Sequence, residues 1–314
     1  MNLFSNLKAK FRKARFNWLC RGILDTDPLQ HRNAPLRIIS LVQSDDRIMY
    51  LLAIKSLYRY LPGGEIVIID DGSLTDGDRD LFRRHLGAPS FVPLHMIQTG
   101  NCPKGGCWER LLHLLDLTRE SYVIQMDSDM LTTGPVPEVV EAIKNNQAFT
   151  LNTGSDQKIV DLEDAAAYAR GMNSQHVQVM AERSLPTLPS SLGRRYVRGS
   201  AGFTGFAHGG VTRQDAEAFS AAMQSILGNR WTEWGTEQVT SNYLVANSPN
   251  GVALDWPKYA CLFPDVDPTS ASMLHFPGSW RWNRDIYVRL GRQVIHELKQ
   301  PLQEQRPVMG GALR

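Results

Sequence analysis

The chain has 314 residues, 42 % of them hydrophobic and 21 % charged, with a formal net charge of +2. This is ordinary globular composition, and the charge is too small to argue for nucleic acid as a partner. No run reaches the ~18 to 20 apolar residues of a membrane-spanning helix, and charges interrupt any signal-peptide core near the N-terminus. Cys20, Cys102, Cys107 and Cys261 are spaced irregularly, which fits reduced thiols in a cytoplasmic protein rather than a disulfide framework or a structural zinc site.

Residues 1–24 stand apart. Lys8, Lys10, Arg12, Lys13, Arg15 and Arg21 precede the first acidic residue, Asp25, while Phe4, Leu7, Phe11, Ala14 and Trp18 recur at helical spacing. An apolar stripe with cationic flanks is the pattern of a helix lying on an anionic membrane surface. The alternative is a helix docked on its own domain with its lysines solvated.

Residues 36–42 read as the first strand, followed by Ser44, Asp45 and Asp46. A helix is expected over 48–60, ended by Pro62-Gly63-Gly64, and a second strand over 65–69 closing on Asp70-Asp71-Gly72-Ser73. This strand, helix, strand spacing predicts parallel strands with a right-handed crossover. A helix over 75–85 and a third strand over 93–99 come next. Lys104 then sits on a glycine-bearing turn before a helix to about 118, where it could meet phosphate oxygens. No P-loop pattern is present.

The apolar run 121–126 ends in Asp127-Ser128-Asp129. Two carboxylates at a strand end invite a hard divalent cation between them, or else cap a helix starting near Pro135. Three acidic clusters at one edge of a parallel sheet favour a ligand crevice.

The second half is more helical, with helices expected over 135–146, 160–171 and 214–227 and a loop over 184–195. Residues 196–210 are glycine-rich, so that backbone could approach a ligand beside the apolar walls of Phe203 and Phe206. A bulged core strand explains them equally well. Thr236 could cap a helix carrying Glu237 and Gln238, with Trp231 and Trp234 available to stack on a sugar ring. His275 ends a short apolar strand before a turn bearing Arg281 and Arg284, which suits metal ligation and phosphate contact. A helix over 285–299 closes the chain.

On Asp127-Ser128-Asp129, Asp70-Asp71-Gly72-Ser73, Gly235-Thr236-Glu237-Gln238 and His275-Phe276-Pro277-Gly278, residues 36–282 resemble the metal-dependent nucleotide-sugar glycosyltransferases of the GT-A fold. The resemblance implies a Rossmann-type α/β fold, a mostly parallel sheet flanked by helices with a smaller mixed region. Residues 36–150 would form the nucleotide-sugar half and 151–300 the acceptor-side half with the closing helix, leaving 301–314 as a tail. It implies that Asp127, Asp129 and His275 hold Mn²⁺ or Mg²⁺, and that Asp71, with Asp45, Asp46 and Asp70, binds base and ribose. Lys104, Arg281 and Arg284 would meet the diphosphate. Glu237 would serve the acceptor hydroxyl, with Trp231, Trp234, Gln238, Phe203 and Phe206 around the acceptor.

The donor implied is a nucleoside diphosphate sugar, with UDP expected, and the acceptor a hydroxyl group; if residues 1–24 bind membrane, that acceptor is expected to be a lipid-linked or envelope glycan at the cytoplasmic face. The Asp-Asp-Gly-Ser turn is typical of inverting members and His-Phe-x-Gly of retaining ones. Trp280-Arg281-Trp282 replaces the Lys-Pro-Trp of the retaining branch, so stereochemistry stays open. Two rival readings are a sugar-phosphate nucleotidyltransferase, against which the glycine-free 43–47 turn counts, and an inactive nucleotide-sugar-binding protein.

Overall fold

The computed structural model describes residues 3–300, with side chains from residue 8 onward. The expected tail 301–314 lies outside the described residues, as do the side chains of Phe4 and Leu7. In chain order the elements are α1 (Leu3–Leu19), β1 (Leu36–Val42), α2 (Arg47–Tyr58), β2 (Glu65–Asp70), α3 (Asp76–Leu86), β3 (Ser90–Pro93) and α4 (Trp108–Leu117). They continue with β4 (Tyr122–Met126), β5 (Met130–Thr132), α5 (Pro137–Lys144), β6 (Phe149–Asn152), β7 (Val160–Asp161), α6 (Leu162–Arg170), α7 (Val177–Ser184) and β8 (Arg195–Tyr196). Last come β9 (Gly199–Phe206), α8 (Arg213–Leu227), α9 (Thr236–Asn247), β10 (Val252–Ala253), β11 (Tyr259–Cys261), β12 (Met273–His275) and α10 (Ile286–Leu298).

One sheet organises the molecule in the order β3-β2-β1-β4-β9-β6-β11-β12-β5, with β10 beside β6. The strands β3, β2, β1 and β4 are parallel. β9 enters antiparallel between β4 and β6, and β5 closes the far edge antiparallel to β12. The sheet therefore draws hydrogen-bonded strands from both sides of residue 150. A separate β7–β8 ribbon lies off it. β4 is buried at every residue, which explains its unbroken apolar sequence, because helices cover both faces of a parallel sheet.

Most expected helices form within a few residues of their predicted bounds. α3 starts on a capping box between Thr75 and Asp78, which satisfies two backbone donors reciprocally. Three expectations are corrected. The third strand is Ser90–Pro93, and Leu94–Met96 is a short 3₁₀ turn. Thr236 does not cap α9. It is the first helical residue after a left-handed Gly235, and its hydroxyl accepts from Trp108 Nε1 at 3.0 Å and donates to the Glu233 carbonyl. Asp127 and Asp129 cap no helix either, since the chain turns from β4 straight into β5.

The glycines of β9 are spacers for protein side chains. A Cβ at Gly205 would lie 2.3 Å from the Phe149 ring and 2.4 Å from Tyr122 Oη. Phe203 packs on Phe149 with ring centroids 5.2 Å apart. Phe203 and Phe206, both fully buried, belong to core clusters on opposite faces of the sheet. Gly205→Ala should therefore cost about 1–3 kcal/mol, as overpacking of a filled core does. Urea unfolding of the variant beside the parent measures this.

Candidate active site

β4 delivers Asp127 and Asp129 to the C-terminal edge of the parallel strands, and β12, two strands beyond β6, delivers His275 to the same point. Ligand atoms from these residues all lie within 4.8 Å of one another. His275 Nε2 is 3.3 Å from Asp129 Oδ1 and 3.6 Å from Asp127 Oδ2. Its Nδ1 lies 3.1 Å from Ser200 Oγ and 3.5 Å from Cys261 Sγ, which fixes the ring with Nε2 toward the carboxylates. Such an outer partner orients a metal-binding imidazole. The ring fits because residue 202 is glycine: a Cβ there would come within 2.5 Å of His275 Cε1.

Two guanidinium groups answer the acids. Arg110, buried on α4, bonds Asp127, and Arg281, on the 3₁₀ turn Gly278–Asp285, bonds Asp129. Burial drives the Asp129 pKa upward, yet His275 and Arg281 beside it hold it below the usual carboxylate range. Burial likewise disfavours the His275 imidazolium, but the Asp129 carboxylate outweighs it and raises the pKa well above the ordinary value. Two carboxylate oxygens and an oriented imidazole are a donor set for a divalent cation such as Mn²⁺ or Mg²⁺. Ser128 Oγ, Gln125 Oε1 and Arg110 Nε are buried there without hydrogen-bond partners, so the locality has polar capacity to spare.

Glu237 opens α9 behind this cluster. It is 4 % exposed, 3.9 Å from Arg110 Nη2 and 3.3 Å from Gln125 Nε2. Burial, opposed by Arg110 and reinforced by Asp127, raises its pKa to about 7. Arg110 and Gln125 are contributors the sequence reading missed. Polar residues set inside apolar runs, Glu109-Arg110 within Trp108-Glu109-Arg110-Leu111-Leu112 and Gln125 within Val123-Ile124-Gln125-Met126, were the available signal.

The remaining predicted residues divide. Asp71 and Lys104 line one cleft of ≈ 730 Å³ together with Leu94, Ile97 and Glu109. Asp71 accepts from Ser73 N and Oγ at 2.9 and 2.6 Å. Asp70 is buried and held by Arg79 at 2.5 Å and by the Gly72 amide at 2.8 Å, which makes it the anchor of that turn. Asp46 pairs with Lys13 of α1 at 2.6 Å, and Asp45 and Arg284 are exposed. Trp231 is fully buried, bonds Ser220 Oγ and packs edge-on against Trp108 and Phe219, so it is core rather than a sugar platform. Phe203 and Phe206 are core for the reason given above. Trp234 is 73 % exposed with its backbone close to Gly106. Gln238 accepts from the Ala201 amide at 3.3 Å and donates to Gln178 at 3.0 Å.

No protein-family model and no curated protein matches the sequence. Solved structures do resemble it. The bifunctional glycosyltransferase WbbM, in its apo form, matches with a TM-score of 0.51 at 12 % identity, over 85 % of this chain and 51 % of that one. The chain thus spans about half the length of WbbM (51 %). Mouse xyloside xylosyltransferase 1, also apo, matches with a TM-score of 0.44 at 10 % identity over 81 % of this chain and 99 % of that one. The galactosyltransferase LgtC in complex with donor and acceptor sugar analogs gives 0.45 at 12 % identity, over 84 % and 97 %. The architecture is that of the GT-A glycosyltransferases, and the likeness to WbbM carries that statement.

Gly202→Ala should push the His275 ring from its seat; if Asp127, Asp129 and His275 hold a divalent cation, the variant should bind it about tenfold or more weakly, the loss typical when a metal ligand's support is removed. Calorimetric Mn²⁺ titration of a variant with unchanged circular dichroism tests this.

Proposed function

We propose that this protein is a metal-dependent glycosyltransferase that moves a sugar from a nucleoside diphosphate donor, UDP by expectation, to a hydroxyl acceptor on a glycan. The observation that carries the reading is the convergence of Asp127, Asp129 and His275 at the edge of a GT-A sheet. These residues would hold Mn²⁺ or Mg²⁺, which when bound supplies Lewis-acid neutralisation for the leaving diphosphate. Arg281, hydrogen-bonded to Asp129, would meet phosphate oxygens. The cleft shared by Asp71 and Lys104 suits base and ribose, with Leu94 and Ile97 as apolar walls.

Glu237 would take the acceptor proton or orient the acceptor, and the exposed Trp234 offers a face for a sugar ring. With Glu237 as base, its carboxylate must be ionised, so transfer should rise through about pH 7 and fall below it. Asp129→Ala should abolish Mn²⁺-dependent donor binding, whereas Glu237→Gln should keep donor binding and lose transfer. Screening nucleotide sugars for slow hydrolysis with Mn²⁺ is the first test. Release of nucleoside diphosphate and free sugar supports the reading, while release of nucleoside monophosphate and sugar phosphate would point to nucleotidyl chemistry. No metal-dependent binding of any nucleotide sugar would overturn it.

A membrane-borne acceptor at the cytoplasmic face is the finer reading, and the N-terminal helix supports it. Phe11 and Trp18 on α1 are 71 % and 61 % exposed, with Ala14 between them and Lys8 and Lys10 beside them in solvent. Arg21 lies 5.1 Å over the Trp18 ring. The other face docks through Phe16, 4.5 Å from the Tyr287 ring. Lys13–Asp46 and Arg15–Asp285 tie the helix to two turns at the metal edge. One face packs on the domain, as the docked-helix alternative expects, and the other leaves Phe11 and Trp18 exposed, which supports the membrane reading as well. No helix among the described residues is long and apolar enough to cross a membrane, so contact would be peripheral. Vesicles with anionic lipid should float the parent protein but not the Phe11→Ser/Trp18→Ser variant; equal flotation of both refutes the contact.

A further inference from the structure

A second cleft, of ≈ 490 Å³, opens where the segment 156–160 faces α6, α7 and β8. On α6, Asp164 and Tyr168 line it four residues apart, on one helix face, and Tyr168 is 45 % exposed. Its inner wall is Glu182, 2 % exposed, which accepts from Tyr196 Oη at 3.0 Å and pairs with Arg198. Asp156 and Lys158 stand at the mouth in solvent.

The charge balance of this cleft disfavours an anionic ligand. Its inner guanidinium is already neutralised by Glu182, and the lining acids Asp156, Asp164 and Glu182 outnumber the cations Lys158 and Arg198. What remains is an exposed aromatic ring above mixed donors and acceptors. A neutral pyranose presents the complement: an apolar face of axial hydrogens for the ring, and hydroxyls that both donate and accept.

The inner wall is also wired to the candidate active site. Gln238, next to Glu237, donates to Gln178 Oε1 at 3.0 Å, and Gln178 donates to Glu182 Oε1 at 3.0 Å. Two residues beyond Arg198, Ser200 meets His275. The cleft thus shares a buried polar wall with the residues on the acceptor side of the metal cluster.

We infer that this cleft is a subsite for a neutral sugar unit of the acceptor, with Tyr168 stacking on the ring and Asp164 and Lys158 meeting its hydroxyls. The inference rests on the glycosyltransferase reading and narrows its acceptor to an oligosaccharide, or a glycan chain that reaches past the reacting hydroxyl.

Saturation-transfer NMR with methyl glycosides of glucose, galactose, mannose, rhamnose and N-acetylglucosamine, in the millimolar range, tests it on the full chain. At least one should bind the parent protein saturably. Tyr168→Ala should weaken that sugar about tenfold, the scale of one aromatic contact, and Asp164→Ala should weaken it as well. Both variants alter exposed positions on α6 and should leave Mn²⁺-dependent donor hydrolysis unchanged. Binding by none of these sugars, or binding indifferent to both variants, overturns the subsite while donor hydrolysis still stands for the enzyme. Loss of donor hydrolysis in Tyr168→Ala would also overturn it, because the cleft would then belong to the donor.

Discussion

Two carboxylates one residue apart at the buried end of a strand repel each other, and the architecture around residues 127–129 answers that repulsion. With oxygens within 4.8 Å, two charges interact by roughly 3.5 kcal/mol at an effective dielectric of about 20. A cost of that size consumes a sizeable part of a domain's stability unless it is offset. Arg110 comes from α4, Arg281 from the turn after β12, and His275 from β12 itself. Two segments distant in sequence, α4 and β12 with the turn that follows it, converge on one pair of acids. The same arrangement that stabilises the carboxylates leaves oxygen and imidazole atoms grouped as a metal would require.

That convergence depends on β9. The strand runs between β4 and β6 with its direction reversed, so its residues lie directly beside the acidic edge. Side chains at 202 and 205 would collide with His275, Phe149 and Tyr122. The glycine-rich stretch therefore serves protein packing first, and it positions a ligand group only by making room for the His275 ring. Ser200, on the same strand, holds the other side of that ring.

The edge also gathers the rest of the polar chemistry. Turns after β1 and β2 are stiffened internally: Asp78 binds Ser44 and Thr75, and Asp70 binds Arg79 and the Gly72 amide. Those bonds leave Asp71 as the acid of the second turn that lines a cleft. At the other side, α1 is clamped to the turn carrying Arg281 through Arg15–Asp285 and the contact of Phe16 with Trp282. The exposed stripe of the first helix and the candidate active site are thereby held in one mechanical unit.

Local pattern carried much of this. The alternation of apolar runs with acidic turns determined the parallel half of the sheet, because a strand covered by helices on both faces must be apolar throughout and its polar ligands must come at its end. The helical spacing of Phe11, Ala14 and Trp18 likewise marked an apolar stripe, and Asp-x-Asp with His-Phe-x-Gly marked the three residues that the fold brings together as a candidate metal site. What local pattern could not carry is which face of an element meets which neighbour. Trp231 and Trp234 look alike in sequence, yet one is core beneath Trp108 and the other stands in solvent. Asp46 and Asp71 both follow strands, but Lys13 takes the first and a cleft receives the second. Polar residues inside apolar runs hinted at Arg110 and Gln125, but not at their roles, because burial of a polar side chain is decided by partners more than ten residues away, which only the closed sheet supplies. The sequence by itself determined the parallel strands, their acidic edge and the candidate metal-ligating residues Asp127, Asp129 and His275. The tertiary structure alone decided which charges neutralise one another, since pairing distances depend on strand order and not on spacing along the chain.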